Sequence, residues 1–421
     1  MIRAWLTYLS FGPYHLSRLN ACEKIPGFRF LPVSMAKNQS EYGWNLETDS
    51  RIQFVEPERY LESIRGKEWN QKLRVLLRNN RPDVVFIAGY SHPAMLSLIV
   101  VCGDESIPWI LMSDSRAVDA PRRRWQEATK ERIVRLASSG FVAGNPHAEY
   151  LKSLGMPEDR ISQGYDVVDN QFFRERANDC RQVSDAISTC NYFLASNRFI
   201  EKKNLLRLVT AYSLYAKSVP NRTSGASDTL NEMPMRPLVL LGDGPMKPKI
   251  EAHCQSLGIE IVSGAPWEKD RETFSSRPTV FLPGFRQLDE LPRFYSQAIA
   301  FIHASTVDQW GLVVNEAMAS GLPVLVSRGC GCAPDLVQNE MNGWTFDPFN
   351  EDELADQMIR VAAMSQSKRT EMSIAGQRII ERWGPDRFAK GCKESAECAI
   401  GVGPRKPSFV DRLLLSALVR R

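Results

Sequence analysis

The feature that most narrows the possible folds is an alternation of short apolar runs with longer segments of helical period. A first run ends at Phe11, and Val84 to Ala88, Trp109 to Met112 and Gly140 to Ala143 follow; the second half has Tyr192 to Ala195, Leu238 to Leu241, Ala300 to His303 and Val324 to Val326. Strands covered on both faces read as continuous apolar stretches, and strands separated by helices pair in parallel. The pattern therefore predicts an α/β chain of two doubly wound halves. The polar stretch from Arg174 to Thr189 predicts a linker, giving domains at 1–178 and 190–384, and Thr223 to Pro234 reads as an inserted surface loop. Ligands of such sheets sit beyond the carboxyl ends of strands, so the two domains are expected to face each other across a cleft.

At 421 residues the chain can bury two cores, and 53 Lys and Arg against 49 Asp and Glu leave a net charge of +4. That balance argues against a dedicated nucleic-acid binder, so no nucleic-acid partner is expected. The longest apolar stretch, Ala94 to Val101, falls well short of the about 20 residues that span a bilayer. The N-terminal run leads into Gly12-Pro13-Tyr14 without a cleavage site, and the nine cysteines are scattered without a C-x-x-C pair. The expected location is therefore the cytoplasm, with no metal and no cofactor.

The densest chemistry lies in Asp308-Gln309-Trp310-Gly311-Leu312-Val313-Val314-Asn315-Glu316-Ala317-Met318-Ala319-Ser320-Gly321-Leu322-Pro323-Val324. A helix is expected to start near Gly311 and stop at Gly321, offering its first N–H groups and positive dipole end to an anion. Three other segments precede it: Arg198-Phe199-Ile200-Glu201-Lys202-Lys203, the strand-following Gly242-Asp243-Gly244-Pro245, and Pro283-Gly284-Phe285-Arg286 before Glu290. Basic side chains such as Arg198 and Lys203 after a strand are able to stabilise an anion.

In this order the segments resemble the retaining GT-B glycosyltransferases of glycosyltransferase family 4, whose hallmark is E-x7-E running into E-A-M-A-x-G-x-P-V. Seven residues separate Asp308 from Glu316, although the first acid is Asp where the family has Glu. The resemblance implies two Rossmann-like domains, the first on the acceptor side and the second binding the donor, with the terminal segment 385–421 packed back on the first. It implies that Asp308 contacts the donor sugar, that the backbone of Gly311, Leu312 and Val313 meets sugar and phosphate, and that Glu316 holds the ribose hydroxyls. Arg198 and Lys203 would clamp the diphosphate. Gly242, Asp243 and Gly244 would approach the donor, and Arg286 would lie near the nucleobase.

In the first half, Gly12 occupies the place of the family's glycine turn after strand one, and His92 follows the strand Val84 to Ala88, where a histidine could bond the donor. Between Arg116 and Arg135, seven basic residues stand against three acidic ones beside Trp125, and the terminal Phe409 to Arg421 is amphipathic. Either segment could rest on an anionic membrane surface or be an ordinary helix.

The resemblance thus implies retaining, metal-independent transfer from a nucleotide sugar to a glycan or lipid-linked acceptor, in polysaccharide or cell-envelope glycan synthesis. A nucleotide-sugar epimerase of the same fold and an inactive glycan-binding relative are the alternatives.

Overall fold

The computed structural model describes residues 1–38, 49–64, 66–184, 191–219, 235–269 and 277–420. The expected loop from Thr223 to Pro234 lies outside the described residues. The chain forms two compact units, one comprising Met1–Asp169 with Trp383–Arg421 and the other Asn170–Arg382.

The first unit holds β1 (Ile2–Tyr8), β2 (Phe28–Asn38), β3 (Gln53–Tyr60), β4 (Val84–Ala88), β5 (Trp109–Ser113), β6 (Ser139–Val142) and β7 (Ile161–Gln163). They form one parallel sheet in the order β3-β2-β1-β4-β5-β6-β7. Side chains of β4 alternate between the faces: Val85 and Ile87 join one apolar cluster, while Val84 and Phe86 join the other. Burial of each such side chain contributes roughly 1.5–3 kcal/mol, which is why the run carries no polar residue. The helix Pro385–Val402 covers one face of this sheet through Phe388, Cys392, Ala396 and Ala399.

The second unit holds β8 (Tyr192–Ser196), β9 (Leu238–Leu241), β10 (Glu260–Ser263), β11 (Thr279–Gly284), β12 (Ala298–His303), β13 (Val324–Ser327) and β14 (Gly343–Phe346). This sheet is again parallel, in the order β10-β11-β9-β8-β12-β13-β14. The strand order reverses direction between β8 and β12, so the loops that follow these two strands leave toward opposite faces and open a crevice at their carboxyl ends.

The linker expected from Arg174 to Thr189 is replaced over its first part by a helix, Asn170–Ser184, that belongs to the second unit. Phe173 and Ala177 are buried one helical turn apart, but charged neighbours surround this narrow stripe and hide it in the sequence.

Candidate active site

The crevice between β8 and β12 is built from backbone first. The loop after β8 is braced by the turn after β9: Asn197 N–H donates to Leu241 O at 2.9 Å, Phe199 N–H to Asp243 O at 2.7 Å, and Met246 N–H to Phe199 O at 2.9 Å. The approach leaves no room for a side chain on the turn, since a Cβ on Gly242 (φ +133°) would stand 1.9 Å from the Asn197 carbonyl oxygen. Asp243 accepts the Gly244 N–H at 2.7 Å. Gly242, Asp243 and Gly244 therefore shape the loop that presents Arg198, whose side chain is exposed.

A 3₁₀ turn over Glu201–Lys203 follows and ends at Asn204, in left-handed conformation (φ +59°). Asn204 Nδ2 donates to Ala304 O at 3.1 Å and Pro348 O at 2.7 Å, and Thr306 N–H donates to Lys202 O at 2.9 Å. These bonds fasten the loop after β8 to the loop after β12. Lys203 Nζ consequently reaches Asp308 Oδ2 at 2.5 Å, and His303 Nε2, at the end of β12, meets the same oxygen at 2.7 Å.

The group is almost wholly removed from water, and its charges decide its protonation. Burial opposes ionisation of Asp308, but hydrogen bonds and charges from His303 and Lys203 outweigh it and hold the carboxyl well below the usual carboxylate range. Burial would likewise lower the His303 pKa, yet Cys330 and Asp308 reverse the direction and raise it. Cys330 donates to Trp310 O at 2.8 Å and lies 3.5 Å from Cys332, sulfur to sulfur. Burial pushes the Cys332 thiol up.

Gly311 follows with φ +98° and caps the helix Leu312–Ala319. A Cβ there would lie 2.7 Å from Cys330 Sγ and 3.3 Å from His303 Nε2, so only glycine lets the helix begin this close to the acid. Its first-turn N–H groups, including those of Leu312 and Val313, begin beside Asp308, the kind of helix end that favours an anion. Glu316 is buried and accepts from Tyr295 OH at 2.8 Å. Trp310 Nε1 donates to Asn315 at 3.0 Å and fixes the entry to the helix.

The structure thus gathers Lys203, Asp308, Gly311, Leu312 and Val313 at one place, with Arg198 and the Gly242 turn on the adjoining loop and Glu316 inside the helix. Asp308 does not stand open toward a sugar: Lys203 and His303 share one of its oxygens. Arg286 is engaged with Glu290 at 3.1 Å and Pro283 O at 3.2 Å rather than extended for stacking. Gly12 and His92 lie in the first unit, each at the start of a helix. Gly12 N–H donates to His15 Nδ1 at 2.8 Å, and His92 Nδ1 accepts from Ala94 N–H at 3.1 Å, a capping bond. Burial lowers the His92 pKa, which keeps that nitrogen an acceptor. His303, Tyr295 and Cys330 were not expected at the site. His303 ends a predicted strand five residues before Asp308, and that spacing is the one signal the sequence offers for it.

Residues 178–378 match the family described as Glycosyl transferases group 1. Sulfoquinovosyl transferase SQD2 of Arabidopsis thaliana is 34% identical over 113 residues, 27% of this chain and 22% of that protein. Alpha-monoglucosyldiacylglycerol synthase of Acholeplasma laidlawii is 24% identical over 201 residues, 47% of this chain and 40% of its own. The matched segments thus span less than half of either relative. Among solved structures, Anabaena Alr3699/HepE in complex with UDP aligns with a TM-score of 0.67 at 16% identity, covering 94% of this chain and 100% of that one. Sucrose-phosphate synthase from Thermosynechococcus elongatus aligns at 0.67 and 14%, covering 94% and 98%. Identities this low speak to the fold alone. The chain therefore has the GT-B fold, and its residues 178–378 are similar to the glycosyl transferases group 1 family.

Proposed function

We propose that this protein is a glycosyltransferase that moves a sugar from a nucleoside-diphosphate donor to a glycan or lipid-linked acceptor, with retention and without a metal. The observation that carries the reading is the ion pair of Lys203 with Asp308, set between the loops after β8 and β12 at the start of the Leu312–Ala319 helix. Lys203, Arg198 and the helix N-terminus supply positive charge where a departing diphosphate would gain negative charge. Glu316, on the second turn, is the acid for the ribose hydroxyls. A uridine nucleotide is the first donor to test, because Alr3699/HepE is solved with UDP and with UDP-glucose. A diacylglycerol-linked acceptor is suggested by the name of the Acholeplasma relative. The test is release of UDP from a panel of UDP-sugars. Acceptor-dependent release is expected, and Glu316→Ala should raise the donor KM about tenfold or more through loss of charge-assisted hydrogen bonds. Equal release without any acceptor would instead favour a hydrolase, and conversion of a UDP-sugar to its epimer without release would favour an epimerase.

We also propose that the first unit rests on an anionic membrane surface. Within the described residues no helix is long and apolar enough to cross a membrane. Most charges of the Arg116–Arg135 segment are paired: Arg116 with Asp119, Arg122 and Lys130 with Glu127, and Arg132 with Asp411 on the terminal helix Phe409–Val419. The last bond joins the two amphipathic segments into one surface, because Trp125 and Arg132 lie two turns apart on one helix face. Trp125, Phe409, Val410 and Leu413 are exposed there, and Arg123 and Arg124 have no ion pair among the described residues. Cosedimentation with phosphatidylglycerol vesicles is expected and should fall severalfold in Arg123→Glu with Arg124→Glu. Unchanged sedimentation would remove this surface from membrane contact.

A further inference from the structure

We propose that the second unit binds a phosphorylated, sugar-sized metabolite at the amino-terminal ends of β8, β12 and β13, on the side of the sheet opposite the donor crevice. A cleft of about 530 Å³ opens there, lined by Arg181, Arg369, Gln366, Thr370 and Ser373 among others, and no carboxylate lines it among the described residues. That volume falls in the range of roughly 300–1,000 Å³ usual for small-molecule sites.

The two arginines set this cleft apart. Several other arginines of the unit meet acids: Arg174 meets Glu381, Arg207 meets Glu351, and Arg328 meets Glu353. Arg181 instead donates to Ser296 O at 3.2 Å, to Asn178 Oδ1 at 2.9 Å and to Ser320 O. Arg369 donates to Met364 O at 2.5 Å and to Gln366 Oε1 at 3.0 Å. Among the described residues every recorded partner is neutral, and each guanidinium keeps further N–H donors. Burial weakens the hold of both groups on their protons, which accords with positive charge that meets no counter-charge among the described residues. A phosphate ester supplies that charge in the planar, two-oxygen geometry that guanidinium groups bind best. The helix Gln366–Ile380 also begins at the rim, where its N-terminal dipole end favours an anion. Beyond the charged end, Ile299, Leu322 and Pro323 offer an apolar wall for the carbon skeleton, so the site suits more than a bare ion.

The cleft is wired to the donor crevice by one element. Arg181 holds the carbonyl of Ser320, and Gln377 Nε2 holds that of Ala319 at 3.3 Å; both close the far end of the helix Leu312–Ala319, which starts at Gly311 and carries Glu316. Eight residues of helix span about 12 Å. A ligand that draws Arg181 from Ser320 therefore acts on the helix that binds the donor, and coupling of this kind is reciprocal. This last clause rests on the proposed donor site; binding in the cleft does not.

Calorimetric titration of the full chain with glucose 6-phosphate, with glucose and with inorganic phosphate, each with and without saturating UDP, tests the proposal. Glucose 6-phosphate is expected to bind in both conditions and more tightly than glucose or phosphate. Arg369→Ala, and Thr370→Glu at an exposed rim position, should each weaken it about tenfold or more, while Lys203→Ala should leave it unchanged. Absence of binding, wild-type affinity in both cleft variants, or binding lost in Lys203→Ala but kept in Arg369→Ala would overturn the proposal. Phosphate binding as tightly as glucose 6-phosphate would overturn the choice of an ester. Failure of UDP to bind alongside intact glucose 6-phosphate binding would count against the donor reading alone.

Discussion

Replacing Lys203 with alanine is expected to lower the transfer rate by about 10²–10³-fold, the usual effect of removing one positioned charge from a developing anion. The ammonium is held in place rather than left to search: the 3₁₀ turn, the left-handed Asn204 and its bonds to Ala304 O and Pro348 O fix the backbone, and Asp308 fixes the side chain. Lys203→Arg should not rescue the loss, because a planar guanidinium is longer and bonds in a fixed fork that this pocket was not shaped for. Initial rates with saturating donor, together with thermal melting of each variant, separate loss of chemistry from loss of fold. Wild-type rates in Lys203→Ala would take the residue out of the reaction.

How far the site could be read in advance follows from what each part must satisfy. Central strands such as β4, β8 and β12 need apolar side chains on both faces and are plain in the sequence. The expected runs left out β3, β7, β10 and β14 at the sheet edges, and also β2 and β11 one place inside them. An edge needs no continuous apolar run, and β3 illustrates the reason: Gln53 to Tyr60 carries Pro57 and four charged or amide side chains, which suit an unpaired rim. The spacing of Asp308 and Glu316 located the helix Leu312–Ala319 within a residue or two, because a glycine stands at each end. The partners of Asp308 were less legible. His303 meets the acid through the turn of a loop, with its five-residue spacing as the one signal, and Lys203 through strand adjacency 105 residues away, a contact that no local pattern marks.

Asp308→Asn is expected to destabilise the protein by about 3–5 kcal/mol, the cost of leaving a buried charge without its partner. In the native protein Lys203 and Asp308 are each only 12% exposed at the side chain, and His303 is wholly buried. The sign of the pH dependence follows from the depressed carboxyl. Its contribution is complete above the unfolded carboxylate value of about 3.9 and is lost only as pH falls through the lower folded value. Wild-type stability should therefore hold through mildly acid pH with respect to this group, and its acid limb should be absent from Asp308→Asn. Asp308→Glu, which installs the acid typical of the resembled family, should also destabilise, by about 1–3 kcal/mol, since one more methylene enters a packed site. The double variant Asp308→Asn with Lys203→Met separates structure from chemistry. Removing both charges should recover most of the stability that Asp308→Asn loses, with a coupling of about 0.5–3 kcal/mol, yet leave transfer as low as in Lys203→Ala. Recovery of activity along with stability would mean that the pair serves the fold and that the phosphate charge is met elsewhere, by Arg198 and the helix that begins at Gly311.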